Sequence, residues 1–328
     1  MLPISMATIR VSSIFFLKTL DLAGFNSGSA QPSLNRNYIH PIPIRVPRRP
    51  EQDRIVDLLS ALDDKIELNR RMNETLEAMA RALFKDWFVD FGPTRAKQAG
   101  MERYLAPELW SLFPERLDGE GKPEGWQEFR LEQIAEHCKG NISPSNTPDK
   151  LFEHYSLPAF DKGQNPAMDL GETIKSNKTP VPKGAFLLSK LNPEIPRVWL
   201  PEVAREAPQI ASTEFLAFLP KAPIGPATLY CLFREDGFRR MLEGMVTGTS
   251  KSHQRISPPA LLGRQVLCAS GLAVTTLETT LSPITSRLLS NRAESRTLAQ
   301  TRDLLLPKLM SGEMRIRDAE STIEAAIR

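Results

Sequence analysis

Two polar stretches hold the side chains best suited to binding an anionic polymer. Ser189, Lys190, Asn192 and Arg197 lie in SKLNPEIPR, and Lys251, Ser252, His253, Gln254 and Arg255 lie in GTSKSHQR. Lysine and arginine hold phosphates, while arginine, asparagine, glutamine and histidine can reach base edges. Each stretch could equally be a plain surface loop. Bond-making chemistry finds no support. The loop from Gly244 to Ser252 imitates a phosphate loop, but Gly248 comes one residue early and Lys251 does not follow it directly. No G-x-G-x-x-G follows a strand pattern, and the Asn/Asp-Pro-Pro-aromatic tetrapeptide of amino-methyltransferases is missing. His40, His137, His154 and His253 are scattered, which argues against a metal centre. Asp63-Asp64 and the pair Asp86 and Asp90 fall on expected helix surfaces, where solvation accounts for them. Neither a cofactor nor a metal is expected.

Composition narrows the class further. The chain has 328 residues, enough for two domains, and a net charge of +3, so any basic surface has to be local. The three cysteines, Cys138, Cys231 and Cys268, are far apart and without C-x-x-C spacing, which fits a reducing cytoplasm. Val11 to Leu17 is a short apolar run after Arg10, but Lys18 and Asp21 cut it short for a signal peptide. No stretch approaches the roughly 20 apolar residues that span a membrane.

The elements that must position the polar loops are more legible than the loops. Ile55, Leu59, Leu62, Ile66, Asn69, Asn73, Leu76, Ala80, Leu83 and Trp87 alternate steps of four and three without a break. This heptad seam buries its stripe against a partner helix. An amphipathic helix lying on a globular domain would carry a similar stripe. Pro50 with Glu51 and Asp53 suits the helix start, and Gly92-Pro93 its stop. Leu277, Leu281, Ile284, Leu288, Asn291, Ser295, Leu298, Arg302, Leu305 and Leu309 repeat the pattern, ending at Ser311-Gly312.

The two seams superpose. Ile55 maps onto Leu277, an offset of 222 residues, and every seam position keeps that offset. Asn69 falls on Asn291; off the seam, Arg70 falls on Arg292 and Thr75 on Thr297. Matching polar residues are harder to obtain by chance than matching apolar ones. Upstream, Phe16 falls on Phe238, Leu20 on Leu242, Ser27 on Thr249 and Gln31 on His253. The chain therefore reads as two tandem units, each a globular domain followed by a long helix. The helices are expected to pair antiparallel, with Asn69 and Asn291 fixing register. Between them, Tyr155–Phe160, Ala185–Ser189, Arg197–Leu200 and Glu214–Leu219 read as strands, and Leu229 to Met245 as one helix. The fold class is α+β: one globular domain and two long helices in an antiparallel coiled coil.

The run IVDLLSALDDKIELNRRMNETLEAMARALFKDWFVDF resembles the first conserved region of the specificity subunit of type I restriction–modification systems. RTLAQTRDLLLPKLMSGEMRIRDAE resembles its second, and LLSKLNPEIPRVWL, QIASTEFLAF and NSGSAQPSLNRNYIHPIPI look like pieces of its target-recognition domains. The resemblance implies a non-catalytic subunit that reads a split, asymmetric site in double-stranded DNA. It also implies docking to methyltransferase subunits and, through the complex, to motor nuclease subunits. On this reading residues 1–49 are the remnant of a first recognition domain and 50–91 the first conserved helix. Residues 92–125 form a linker, 126–270 a complete recognition domain, 271–312 the second helix and 313–328 a charged tail. The resemblance places a domain of roughly 150 residues before Pro50, where only 49 residues stand. An N-terminally truncated chain is the resulting expectation: a half-subunit that dimerises, or a fragment that binds methyltransferase or other specificity subunits through its helices and competes for assembly. A helix from Ile55 to Trp87 is about 50 Å long, longer than one DNA turn of about 34–36 Å, so it can hold two readers across an unread spacer. Adding one heptad to both helices is expected to lengthen the spacer and leave the half-sites unchanged when methylated sites are sequenced. Shifted half-site preferences with a constant spacer would contradict this geometry.

Overall fold

The computed structural model describes Asn37 and residues 47–202, 207–247, 254–269 and 271–327, with no side-chain description at Ile327. The short apolar run Val11 to Leu17 and the upstream repeat positions Phe16, Leu20, Ser27 and Gln31 lie outside the described residues. The chain divides into two compact units, one of residues 1–73 and 290–328, the other of residues 74–289.

Two 40-residue helices dominate: α1 (Arg49–Phe88) and, much later in the chain, α9 (Leu272–Ser311). In the first unit their outer halves run antiparallel. Asp63 pairs with Arg302, Lys65 Nζ lies 3.5 Å from a Glu294 carboxylate oxygen, and Asn69 meets Asn291 and Ser295. Ile55, Val56, Leu59 and Leu62 form one buried cluster with Leu298, Leu305, Leu306 and Leu309. The seam is mostly apolar; apart from Arg302, which reaches Asp63, its polar positions gather at one place. There Asn69 Nδ2 donates to the Glu294 carboxylate at 2.8 Å and Ser295 Oγ at 3.3 Å, while Asn291 Nδ2 donates to Asn73 Oδ1 at 2.9 Å. Both amide-bearing residues are essentially inaccessible to solvent. The chain end beyond Gly312 (φ 77°) is not a loose tail: α10 (Ile316–Ile327) turns back and buries Ala319 in the same cluster.

The second unit begins with the last turns of α1. Helix α1 stops four residues before the expected Gly92-Pro93 stop. Phe91 takes a left-handed conformation (φ 56°), and Gly92 and Pro93 instead open a second helix, α2 (Gly92–Gln98). A short α3 (Pro107–Trp110) follows. The globular part then comprises β1 (Gln127–Arg130), α4 (Leu131–Ile134), β2 (Ala135–Cys138), β3 (Leu151–Tyr155), α5 (Leu157–Asp161), β4 (Ala167–Leu170), β5 (Lys178–Pro180) and β6 (Phe186–Ser189). It continues with β7 (Val198–Trp199), β8 (Gln209–Ser212), β9 (Phe215–Pro220), α6 (Pro226–Arg234), α7 (Asp236–Glu243), α8 (Pro258–Leu262) and β10 (Gln265–Cys268). The sheets are ordered β2-β9-β6-β7 and β4-β3-β8-β5, with a separate β1-β10 pair.

Layering follows from which faces are apolar. Strand β6, FLLS, is buried along its whole length. Its Phe186 and Leu188 join the core that also holds Leu229 and Phe233 of α6 and Leu277 and Leu281 of α9. Its Leu187 faces the other way, clustering with Trp199 and Phe215 of its own sheet and with Tyr155 and Ala211 of the second sheet. A continuous apolar run is what a strand buried on both faces requires.

Two of the expected elements are corrected. Tyr155–Phe160 is not a strand: β3 ends at Tyr155, Ser156 accepts from the Ala159 N–H at 3.3 Å, and α5 begins. Leu229 to Met245 is two helices. Glu235 leaves the helical region (ψ 141°), and its carboxylate caps α7 through the Phe238 N–H at 2.9 Å. Replacing Asn69 by alanine removes the buried amide that donates to Glu294 and Ser295. The expected cost is about 1–3 kcal/mol, measurable by urea unfolding. An Asn69→Leu variant should regain stability while admitting shifted pairings, detectable by cysteine cross-linking along the seam.

Candidate nucleic-acid interface

Pairing brings the two polar stretches together. The N–H of Asn192 donates to the Gln254 carbonyl at 3.1 Å, and that of Ile256 to the Lys190 carbonyl at 3.0 Å. Leu191 and Arg255 form an antiparallel bridge, and Thr247 bridges Arg255 from the other side. Thus 190–192, 254–256 and Thr247 lie side by side, although some 60 residues separate the first from the others. Lys251, Ser252 and His253 lie outside the described residues.

The sequence-nominated residues differ in what their side chains do. Ser189 is buried and closes its own turn, its Oγ donating to the Leu191 carbonyl at 2.9 Å and accepting from the Leu191 N–H at 3.2 Å. Arg197 is also buried. Its Nε and Nη2 donate to the two Asp161 oxygens at 2.8 and 2.9 Å, and its carbonyl accepts from the Ser189 N–H at 3.0 Å. These two residues hold the loop in place. Lys190, Asn192, Gln254 and Arg255 are half-buried at its surface. Asn192 sits in the left-handed region (φ 50°), which asparagine tolerates better than most residues. Its Oδ1 is buried with no partner among the described residues, an acceptor that a ligand or water donor would satisfy.

Sheet order adds residues that sequence reading missed. Strand β9 pairs with β6 through Phe215 and Ser189, and with β2 through Ala217 and Cys138. The C-terminal ends of β2 and β6 and the N-terminal end of β9 therefore share one end of the sheet. Lys139, exposed just beyond β2, joins Lys190 there, and His137 stands beside them. Burial, then the charges of Lys139 and Lys190, push the His137 imidazole below its ordinary range. The only sequence sign was Lys139 itself, one exposed lysine among many; its neighbourhood depends on pairing β2 with β9, about 80 residues away. The assembled end carries Lys139, Lys190, Arg255, Asn192 and Gln254, with Glu214 as its acidic member. This set can hold phosphates and offer amides to base edges. Among the described residues no cluster of His, Cys, Asp and Glu could hold a metal ion, and no helix is long and apolar enough to cross a membrane.

Comparison with known proteins agrees with the resemblance of the two helices. Residues 7–78 match the family model described as Type I restriction modification DNA specificity domain. The chain is 24% identical over 337 aligned residues to the HindI specificity subunit of Haemophilus influenzae, covering 86% of this chain and 71% of that one. It is 26% identical over 318 residues to the MjaIX specificity subunit of Methanocaldococcus jannaschii, covering 93% and 68%. Among solved structures, the type I restriction–modification S subunit from M. genitalium matches 91% of this chain and 72% of its own, at a TM-score of 0.51 and 16% identity, a likeness of fold. The architecture is one of two long helices with a sheet-bearing domain between them in sequence. Over most of its length the chain is similar to the specificity subunits of type I restriction enzymes.

The Asp161–Arg197 pair gives the loop a pH dependence. Arg197, by hydrogen bond and charge, holds the Asp161 carboxyl below its usual range. A depressed carboxylate stabilises the fold above its unfolded value of 3.8, and that contribution is lost as pH falls through the lower folded value. Asp161→Asn should remove this acid transition. It should also cost about 1–2 kcal/mol at neutral pH, less than a fully buried pair because Asp161 is half exposed. Trp199 fluorescence during acid titration reads both effects, since Trp199 packs on Phe160 in the same helix as Asp161.

Proposed function

We propose that this chain is a DNA sequence-recognition subunit, without catalysis of its own. It would direct a type I restriction–modification complex, with its adenine methylation and DNA cleavage, to a split asymmetric site. The observation that carries the reading is the pair of antiparallel heptad helices, joined in sequence by a domain whose sheet end gathers the basic and amide side chains. The relatives are specificity subunits, and the family match falls on the closing part of the first repeat and its helix. Lys190, Asn192, Gln254 and Arg255, with Lys139 and the undescribed Lys251, Ser252 and His253, would face the duplex; Ser189 and Arg197 would hold the loop beneath them. Helices α1 and α9 would dock methyltransferase subunits, and motor nuclease subunits would join through them. On the repeat, residues 1–49 correspond to the end of a first recognition domain, and 126–270 to a whole one. A dimer of such chains would present two readers.

The test is co-purification of the full chain with a methyltransferase subunit, followed by electrophoretic binding to DNA duplexes over a range of salt. Lys139→Ala and Lys190→Ala are each expected to weaken binding about equally for all sequences. Each should flatten the log-affinity against log-salt slope by about one. Binding that ignores salt, or a purified chain that methylates DNA unaided, would contradict the reading.

A further inference from the structure

Arg255 is held unlike the lysines around it. Its Nε and Nη2 donate to the two Glu214 carboxylate oxygens, both at 3.0 Å. A bidentate pair of this kind fixes the plane of the guanidinium as well as its position. Both backbones are fixed too. Arg255 is bridged by Leu191 on one side and Thr247 on the other. The Glu214 carbonyl accepts from the Lys190 N–H at 2.9 Å, and its own N–H donates to Ser212 Oγ at 3.3 Å. The Arg255 side chain nevertheless stays 41% exposed. Arg197, clamped in the same way by Asp161, is 10% exposed and sealed beneath the loop. Two arginines thus share one device, and only one of them reaches the surface.

A pre-paired arginine is a poor phosphate holder, because the carboxylate already balances its charge and few counterions would be released on binding. A base edge asks for something else: a guanidinium whose plane and reach are set before the duplex arrives. Lys139 and Lys190 have the opposite character. They are flexible point charges, and no ion pair to another described residue holds either one. Phosphate contact tolerates such freedom; base reading does not.

We infer that Glu214 is a positioning residue that presents Arg255 to a base edge, while Lys139 and Lys190 hold backbone phosphates. The inference rests on the DNA-recognition reading and divides its labour. The experiment is selection by the full chain from a pool of randomised DNA duplexes, with affinity for the selected duplex measured across salt. Glu214→Gln and Arg255→Lys are both expected to relax preference at the same base pair by about tenfold and to leave the salt slope nearly unchanged. The double variant should lose no more than either single one. Circular dichroism melting of each variant checks that the fold is retained, and Glu214→Asp, keeping the charge, should restore part of the preference. A uniform loss of affinity with intact preferences would make the pair a simple loop latch and overturn the inference. A shallower salt slope for Arg255→Lys would do the same, marking Arg255 as a phosphate holder. Failure of the unaltered chain to select any sequence would instead sink the DNA-recognition reading, and this inference with it.

Discussion

Asn69 and Asn291 meet where the two long helices cross their shared seam, and the rest of the first unit follows from that meeting. The two residues are repeat equivalents, 222 positions apart, and Asn69 Nδ2 approaches the Asn291 carbonyl at 3.5 Å. Two helices related by a repeat and paired antiparallel have a pseudo-two-fold axis, and only residues on that axis meet their own equivalents. The contacts obey it. Asn69 to Ser295 and Asn291 to Asn73 are the same interaction seen from either helix, since Ser295 stands at the repeat position of Asn73. A buried amide needs its partners, so placing two of them at the axis commits both helices to one alignment.

The sheet-bearing domain leans on the start of α9 by the same economy of polar contacts. The Glu278 carboxylate accepts from the N–H groups of Ala227 and Thr228 at 3.1 and 2.8 Å, capping the first turn of α6. A side chain at Gly225 would meet that carboxylate, its Cβ falling 2.2 Å from Glu278 Cδ, and would have to displace the cap. On the other helix, Glu77 receives Arg234 at 2.8 Å and the Tyr230 hydroxyl at 3.3 Å. Both long helices are therefore tied to α6, one at its beginning and one at its end. The sheet bearing the candidate interface packs on α6 through Phe218 and Phe233, so the polar loops inherit their position from the helix pair.

What the sequence reveals and what it hides divide along contact range. The seams are legible because a 3.5-residue period is a local property that survives in any register of reading. Interruptions of helices are legible only when a residue has no other use. Glu235 looks like any exposed helical acid, and its role as a cap appears only once Phe238 is seen to need one; Ser156 hides in a β-rich run in the same way. The interface was half legible. Residue type nominated both loops, but four of the nominees split by burial. Ser189 and Arg197 spend their polar atoms inward, on Leu191 and Asp161, and no local pattern distinguishes them from Lys190 and Arg255. Lys139 and Glu214 enter only through the β2-β9-β6 order, a long-range fact with no local trace.

The symmetry of the helix pair is exact in kind only near its axis, and the departure has a physical consequence. Asp63 and Arg302 pair across the seam, yet their repeat equivalents are Thr285 and Ala80, which can form no ion pair. The two ends of the coil are therefore chemically different. An apolar heptad alone would tolerate a slip of seven residues, since leucine would meet leucine again. Here such a slip sets the Asn69 amide against Leu298 or Ile284 instead of Asn291 and Ser295. Each buried amide left without a partner costs about 1–3 kcal/mol, and both are displaced together. Arg302 loses Asp63 in the same movement. The polar residues thus set the alignment more than the total stability of the pair, and alignment is the property a subunit needs if its helices are to fix the spacing of what they carry.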